Sequence, residues 1–248
     1  MNRLVRIEFL KLRTTPALWI TIALSVLLSA LPAAVTVIFA GQGQNPPPGN
    51  VETIASVFAV GSFTSIAMLV MGILLTAGED RHRTNLATFL GEPRRERVLA
   101  AKLVTAGVLG AAVGALAFGL AAAVGIPLLA SRGVHDLHVD VLALGLGTVT
   151  ISACYGLLGV ALGALTRNTV GAILGGLAWV VVIELAILQP AAPSLAKWLP
   201  TGAGVALTRA GEQSSHLLPP AVAAVVLVCW AVGICMVASA VSLRREVR

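Results

Sequence analysis

The sequence predicts an all-α, polytopic membrane protein with six transmembrane helices. Three observations lead there. Apolar residues make up 57% of the 248 positions and charged residues only 11%, where a soluble domain carries about 25% charge. Mean hydropathy is +0.93. The few charges fall between long uncharged runs, several of which reach the roughly 20 residues a helix needs to cross the hydrocarbon core. The runs are too long for membrane strands and lack period-2 alternation. The whole chain, 1–248, reads as a single transmembrane domain.

The elements follow in order. Residues 1–15 hold five charges, with Val5, Phe9 and Leu12 on one helical face and Arg3, Arg6 and Arg13 on another. Ile7 and Leu10 interrupt that pattern. The segment reads as an interfacial helix on anionic lipid, with a basic topology anchor as the alternative. Span one, about 17–40, starts after Pro16; its apolar run is too long for a cleaved signal peptide. Residues 41–53 form a polar turn rich in Gly and Pro. Span two is about 54–77. In the stretch that follows, Thr84 or Asn85 caps a short helix whose apolar side is Leu86, Phe89 and Leu90. Gly91 stops it, and Pro93 opens the next helix. Such a helix either docks a soluble partner or rests on lipid headgroups.

Span three is about 103–130 and span four about 139–165. The turn between them holds His135, Asp136, His138 and Asp140, read as solvated rather than metal-binding. Span five, about 170–188, is shorter, and span six, about 219–242, opens with Pro219 and Pro220. The segment 189–218 is too broken by Pro190, Pro193 and Pro200 for a span and too apolar for a loop. It is expected to form short helices dipping into the outer leaflet, where irregular backbone must be covered by protein or water.

Charge sets the orientation. Of the 17 Lys and Arg residues, only Arg132, Lys197 and Arg209 lie on one side of the six spans. The other fourteen lie in the N-terminal tail, between spans two and three, at Arg167 and in the C-terminal tail. That side is therefore cytoplasmic, with both termini, in a multi-pass membrane protein. The net charge of +6 is absorbed by this bias, so no nucleic-acid partner is expected. Cys154, Cys229 and Cys235 sit in apolar runs without a CxxC pair, which argues against a zinc site or disulfide framework.

Within the spans, Ser62, Ser65, Gly72 and Thr76 fall along one stripe. Ser62, Ser65 and Thr76 are candidate conduit residues, the alternative being hydrogen bonds between helices. Glu184 is the one acidic residue inside a span. Such a carboxylate is costly in hydrocarbon. Two readings stand: a structural one, reaching the interface or pairing with Lys197 or Arg209, and a conduit role in gating or cation binding. Small residues recur every fourth position at Gly107, Ala111, Ala115, Gly119 and Ala123, at Gly159 and Gly163, and at Gly171 and Gly175. They are expected to pack helices within one subunit, with dimerisation as the alternative.

Three segments resemble, in order and spacing, the permease subunit of type-2 ABC exporters in its actinobacterial-looking form. They are EFLKLRTTPALW from Glu8 to Trp19, TAGEDRHRTNLATFLGEPRRERVLAAK from Thr76 to Lys102, and KWLPTGA from Lys197 to Ala203. Glu79, Thr84, Pro93, Arg95 and Lys102 fall where the family has the same residue types, while Arg83 stands where it often has Gly. The resemblance covers essentially the whole chain. It implies a second permease copy, in a homodimer or heterodimer, seated on ATP-hydrolysing subunits with the conduit between the copies. It also implies an N-terminal interfacial helix, a coupling helix between spans two and three, and a re-entrant element capping the outer mouth. Glu79, Thr84, Leu86, Phe89, Leu90 and Arg95 would then couple to the ATPase. The permease itself would be no enzyme, with no catalytic residues and no cofactor, its ATP bound by the partner. The chain holds no GxxxxGK[ST] to cradle phosphates. Two other classes fit the sequence less well. One is a membrane anchor or sensor recruiting a cytoplasmic partner, disfavoured as a sensor by the lack of a large outer domain. The other is an ion-coupled carrier, disfavoured by the absence of an internal repeat.

Overall fold

In hydrocarbon each backbone N–H and C=O must be paired within its own segment, and the long apolar runs satisfy this by becoming helices. The computed structural model describes residues 2–43, 45–81, 95–166, 168–208 and 217–244. Helix α1 (Asn2–Thr14) ends where the extended backbone of Thr15 turns the chain into α2 (Pro16–Phe39). Pro16 suits that start, since its missing N–H is one that no helix pairs. The short α3 (Val51–Phe58) and α4 (Gly61–Arg81) follow, then the long α5 (Arg95–Ser131) and α6 (Val141–Thr166). Helix α7 (Thr169–Leu177) continues as a π-helical stretch, Ala178–Leu188, and one last turn, Gln189–Ala191. Two short helices, α8 (Pro193–Ala196) and α9 (Pro200–Thr208), precede α10 (Pro220–Arg244).

Among the described residues, six stretches are long and apolar enough to cross a membrane: Leu18–Phe39, Val51–Gly78, Arg97–Ser131, Val141–Thr166, Thr169–Ala191 and Pro220–Val241. They correspond to the six expected spans, with three differences in detail. Span two is broken at Ala59 and Val60, where α3 gives way to α4. The break brings Gly61 against α9, so close that an added Cβ would lie 2.5 Å from Thr208 Cγ2. Span three starts earlier than expected, and at 37 residues α5 measures about 55 Å, well beyond a bilayer core. Span five widens into eleven π-helical residues, far longer than the single-turn π-bulges that commonly mark functional positions.

Helix α6 is the hub, packed against α4, α5, α9 and α10. Its tightest seam is with α4, where Gly72 and Gly159 face each other backbone to backbone. Gly163 meets Thr76 in the same seam, so the Gly159–Gly163 pair packs helices within the chain as expected. The other two ridges behave differently. In α5 the buried stripe runs through Ala106, Gly110, Val113, Gly114, Ala117 and Ala121, with Gly110 and Gly114 against Ser152. Ala115, Gly119 and Ala123 are exposed, as are Gly171 and Gly175. Small residues lined both faces of α5, and only the neighbours decide which one closes.

Among the described residues, three apolar clusters result. One gathers α4, α6, α7, α9 and α10 around Leu69, Ile73, Tyr155, Leu207 and Leu227. A second joins α2, α3, α5 and α6 through Val37, Phe58, Leu129 and Leu144. The third seats Leu12 of α1 among Met68, Met71, Leu75 and Leu109. The turn at 131–140 serves structure as well: Asp140 Oδ1 accepts the Ala143 N–H at 3.0 Å, capping α6. Arg132 donates to the Ile38 carbonyl at 2.6 Å, at the end of α2.

Candidate functional site

Among the described residues, two polar centres lie in the apolar frame. The first is at the base of α4 and α5, beside α1. The buried residues of α1 include Glu8 and Leu12, four apart on one face, whereas Ile7 and Leu10 are exposed. Glu8 turns inward because a cation waits there. Lys102 of α5 lies 3.5 Å from Glu8 Oε2, and both side chains are about 95% buried. Lys102 also donates to the Leu75 carbonyl of α4 at 2.6 Å. On the other carboxylate oxygen, Lys11 sits 3.2 Å away. One buried ion pair thus joins three helices. Burying either charge alone would be strongly unfavourable.

The second centre surrounds Glu184, which is 1% exposed. The buried side of span five runs Ala172, Gly176, Val180, Glu184. At the end of that line Glu184 Oε2 accepts the backbone N–H of Thr201 at 2.8 Å, in the first turn of α9. Unpaired N–H groups and the helix dipole make such a terminus a favourable place for an anion. The Trp179 indole donates to Oε1. In an α-helix residues five apart do not face each other; the wider π turn brings Trp179 over Glu184. Tyr155 of α6 completes the group, its hydroxyl 3.1 Å from Thr201 Oγ1. Next to it, a cleft of about 60 Å³ is lined by Ser62, Ser65, Ile66, Tyr155, Val181 and Thr201, among others. It has room for a few waters rather than a substrate.

Of the expected conduit residues, the structure thus brings Ser62 and Ser65 to this cleft, with Glu184 bonded to its Thr201 wall. Thr76 is elsewhere, its hydroxyl donating to the Val160 carbonyl at 3.1 Å across the α4–α6 seam. Glu184 is held by an amide and an indole instead of Lys197; Arg209 lies outside the described residues. Thr84, Leu86, Phe89 and Leu90 also lie outside them, and of Glu79 and Arg95 only the backbone is described, near the end of α4 and at the start of α5. The Glu8–Lys102 pair is not legible in the sequence as a pair. Its signal was present: one acid on an apolar helix face and one lysine just inside an apolar run.

Of the segment 189–218, the described residues include the short helices α8 and α9, and α9 is buried along nearly its whole length. Trp230, ten residues into α10, donates to the Trp198 carbonyl at 2.8 Å, which ties the segment beside that helix. A family model described as ABC-2 family transporter protein matches residues 4–186, from α1 to the π-helical stretch that carries Glu184. No curated protein matches the chain.

Proposed function

The chain belongs to the ABC-2 transporter family, as a membrane-embedded permease subunit of an ABC transporter, and on that premise we propose that it is an exporter driven by a separate ATP-hydrolysing subunit. The match across residues 4–186 is the observation that carries this reading. The permease acts with a second permease copy, and the conduit forms between the two. Supporting this, the cleft at Ser62 and Ser65 is too small for a substrate within one chain, and the small-residue face at Gly171 and Gly175 is exposed. Glu184 would place one carboxylate beside that path.

We assign coupling to the ATPase to the segment 82–94, between α4 and α5, through Thr84, Leu86, Phe89 and Leu90, with Glu79 and Arg95 at its flanks. Phe89 is the largest apolar side chain there, and aromatic anchors dominate interface energy, often at about 2 kcal/mol or more on truncation. Phe89→Ala is expected to weaken co-purification of the ATPase or to uncouple hydrolysis from transport, while the spanning fold survives. Normal binding and normal substrate-stimulated hydrolysis together would sink the coupling assignment.

The protein sits in a bacterial plasma membrane with both termini cytoplasmic, following the distribution of Lys and Arg. Cysteines placed singly at positions 45 and 95 test this with an impermeant thiol reagent. Position 45 is expected to label in intact cells and position 95 only after permeabilisation. The reverse pattern at either position would overturn the orientation.

A further inference from the structure

The Glu8–Lys102 pair sits where the proposed coupling segment meets the bundle. Lys102 follows residue 94 by eight positions, about two helical turns, and its acceptor Leu75 lies in the last two turns of α4. Both helices that carry the segment therefore end in one polar knot with α1. We propose that Glu8 and Lys102 are positioning residues that lock α1 to the base of α4 and α5, so that displacement of 82–94 moves α1 along with both helices. This rests on the coupling reading above.

The chemistry favours a joint that fixes direction over simple adhesion. Apolar contacts already hold α1, through Leu12 against Met68, Met71 and Leu75, but such contacts tolerate sliding. The ion pair does not. Lys102 is committed in two directions, to the Glu8 carboxylate and the Leu75 carbonyl. Rotation of α1 would draw the Glu8 carboxylate away from Lys102 in a site that is nearly closed to solvent. Away from the joint, α1 exposes Arg6, Ile7, Leu10 and Arg13, a mixed surface suited to a membrane interface. Moving α1 with the base would drag that surface along the bilayer.

The test uses the full-length permease in nanodiscs, alone and with the ATPase that co-purifies with it. Glu8→Gln, Lys102→Met and the double variant are compared in a background where Cys154, Cys229 and Cys235 are alanine and Leu10 carries a nitroxide through cysteine. Each single variant is expected to mobilise the label and to lower hydrolysis by the complex roughly tenfold, equivalent to a coupling energy of about 1.4 kcal/mol. The double variant is expected to lose no more than one single, because each single already breaks the Glu8–Lys102 contact. Glu8→Asp should recover part of the loss, since it keeps the charge on a shorter arm. Hydrolysis is read below the melting temperature of every variant, so that a merely weakened fold does not register. An immobile label with unchanged hydrolysis in Glu8→Gln would overturn the proposal. Losses that multiply in the double variant would do so too. If no ATPase co-purifies with the wild type, the functional reading and the transmission of movement fail together. The label then still reports whether the pair holds α1.

Discussion

Gly159→Val is expected to insert into the membrane yet fail to survive solubilisation as a folded species. At Gly159 an added Cβ falls far inside van der Waals contact with the Leu69 carbonyl oxygen and 3.0 Å from Gly72 Cα. Both obstacles are backbone, so no side chain can rotate away. Relief requires α4 and α6 to separate, and α6 is the helix on which the rest of the bundle packs. Overpacking a core commonly costs about 1–3 kcal/mol where side chains can adjust, and here they cannot. The measurement is the fraction of monodisperse protein by fluorescence-detected size-exclusion chromatography, before and after mild heating. Gly119→Val is the control, since nothing lies within 4 Å of a Cβ at that position. Equal monodispersity for both variants would show that the α4–α6 seam is not the tight contact described.

Glu184→Ala ranks next in effect. It removes the acceptor for the Thr201 N–H at the start of a buried helix. A buried donor left unsatisfied costs about 1–3 kcal/mol, and the α9 terminus loses its compensating negative charge as well. The expected outcome is a clear fall in unfolding midpoint, with proteolysis appearing first around α9. Glu184→Gln keeps one acceptor oxygen and should lose less. Under the proposed conduit role, the same Gln variant lowers export of a cationic substrate while expression stays intact. Unchanged transport in Glu184→Gln, together with a destabilised Glu184→Ala, would leave Glu184 as the anchor of α9 alone. An unchanged midpoint in Glu184→Ala would remove the anchor role.

What the sequence determined by itself was the number and order of the helices long and apolar enough to cross a membrane. Crossing hydrocarbon is a local demand: about 20 apolar residues in a row, legible without knowing any neighbour. Proline and glycine punctuation likewise foretold the broken segment before α10. Facing and pairing were left to the tertiary structure, for one physical reason. Lipid tails are as apolar as a leucine-lined interior, so the lipid side and the packed side of a span read alike. Of the ridge expected in α5, Ala115, Gly119 and Ala123 are exposed, and it is Gly110 and Gly114 that close on Ser152 of α6. Glu8 joins Lys102, and Glu184 the Thr201 amide, because the bundle folds these groups together from distant points of the chain. The break at Ala59–Val60 and the π-helical stretch have the same origin. Each adjusts a span to the buried α9 beside it, at a position where the local sequence holds no proline to announce the change.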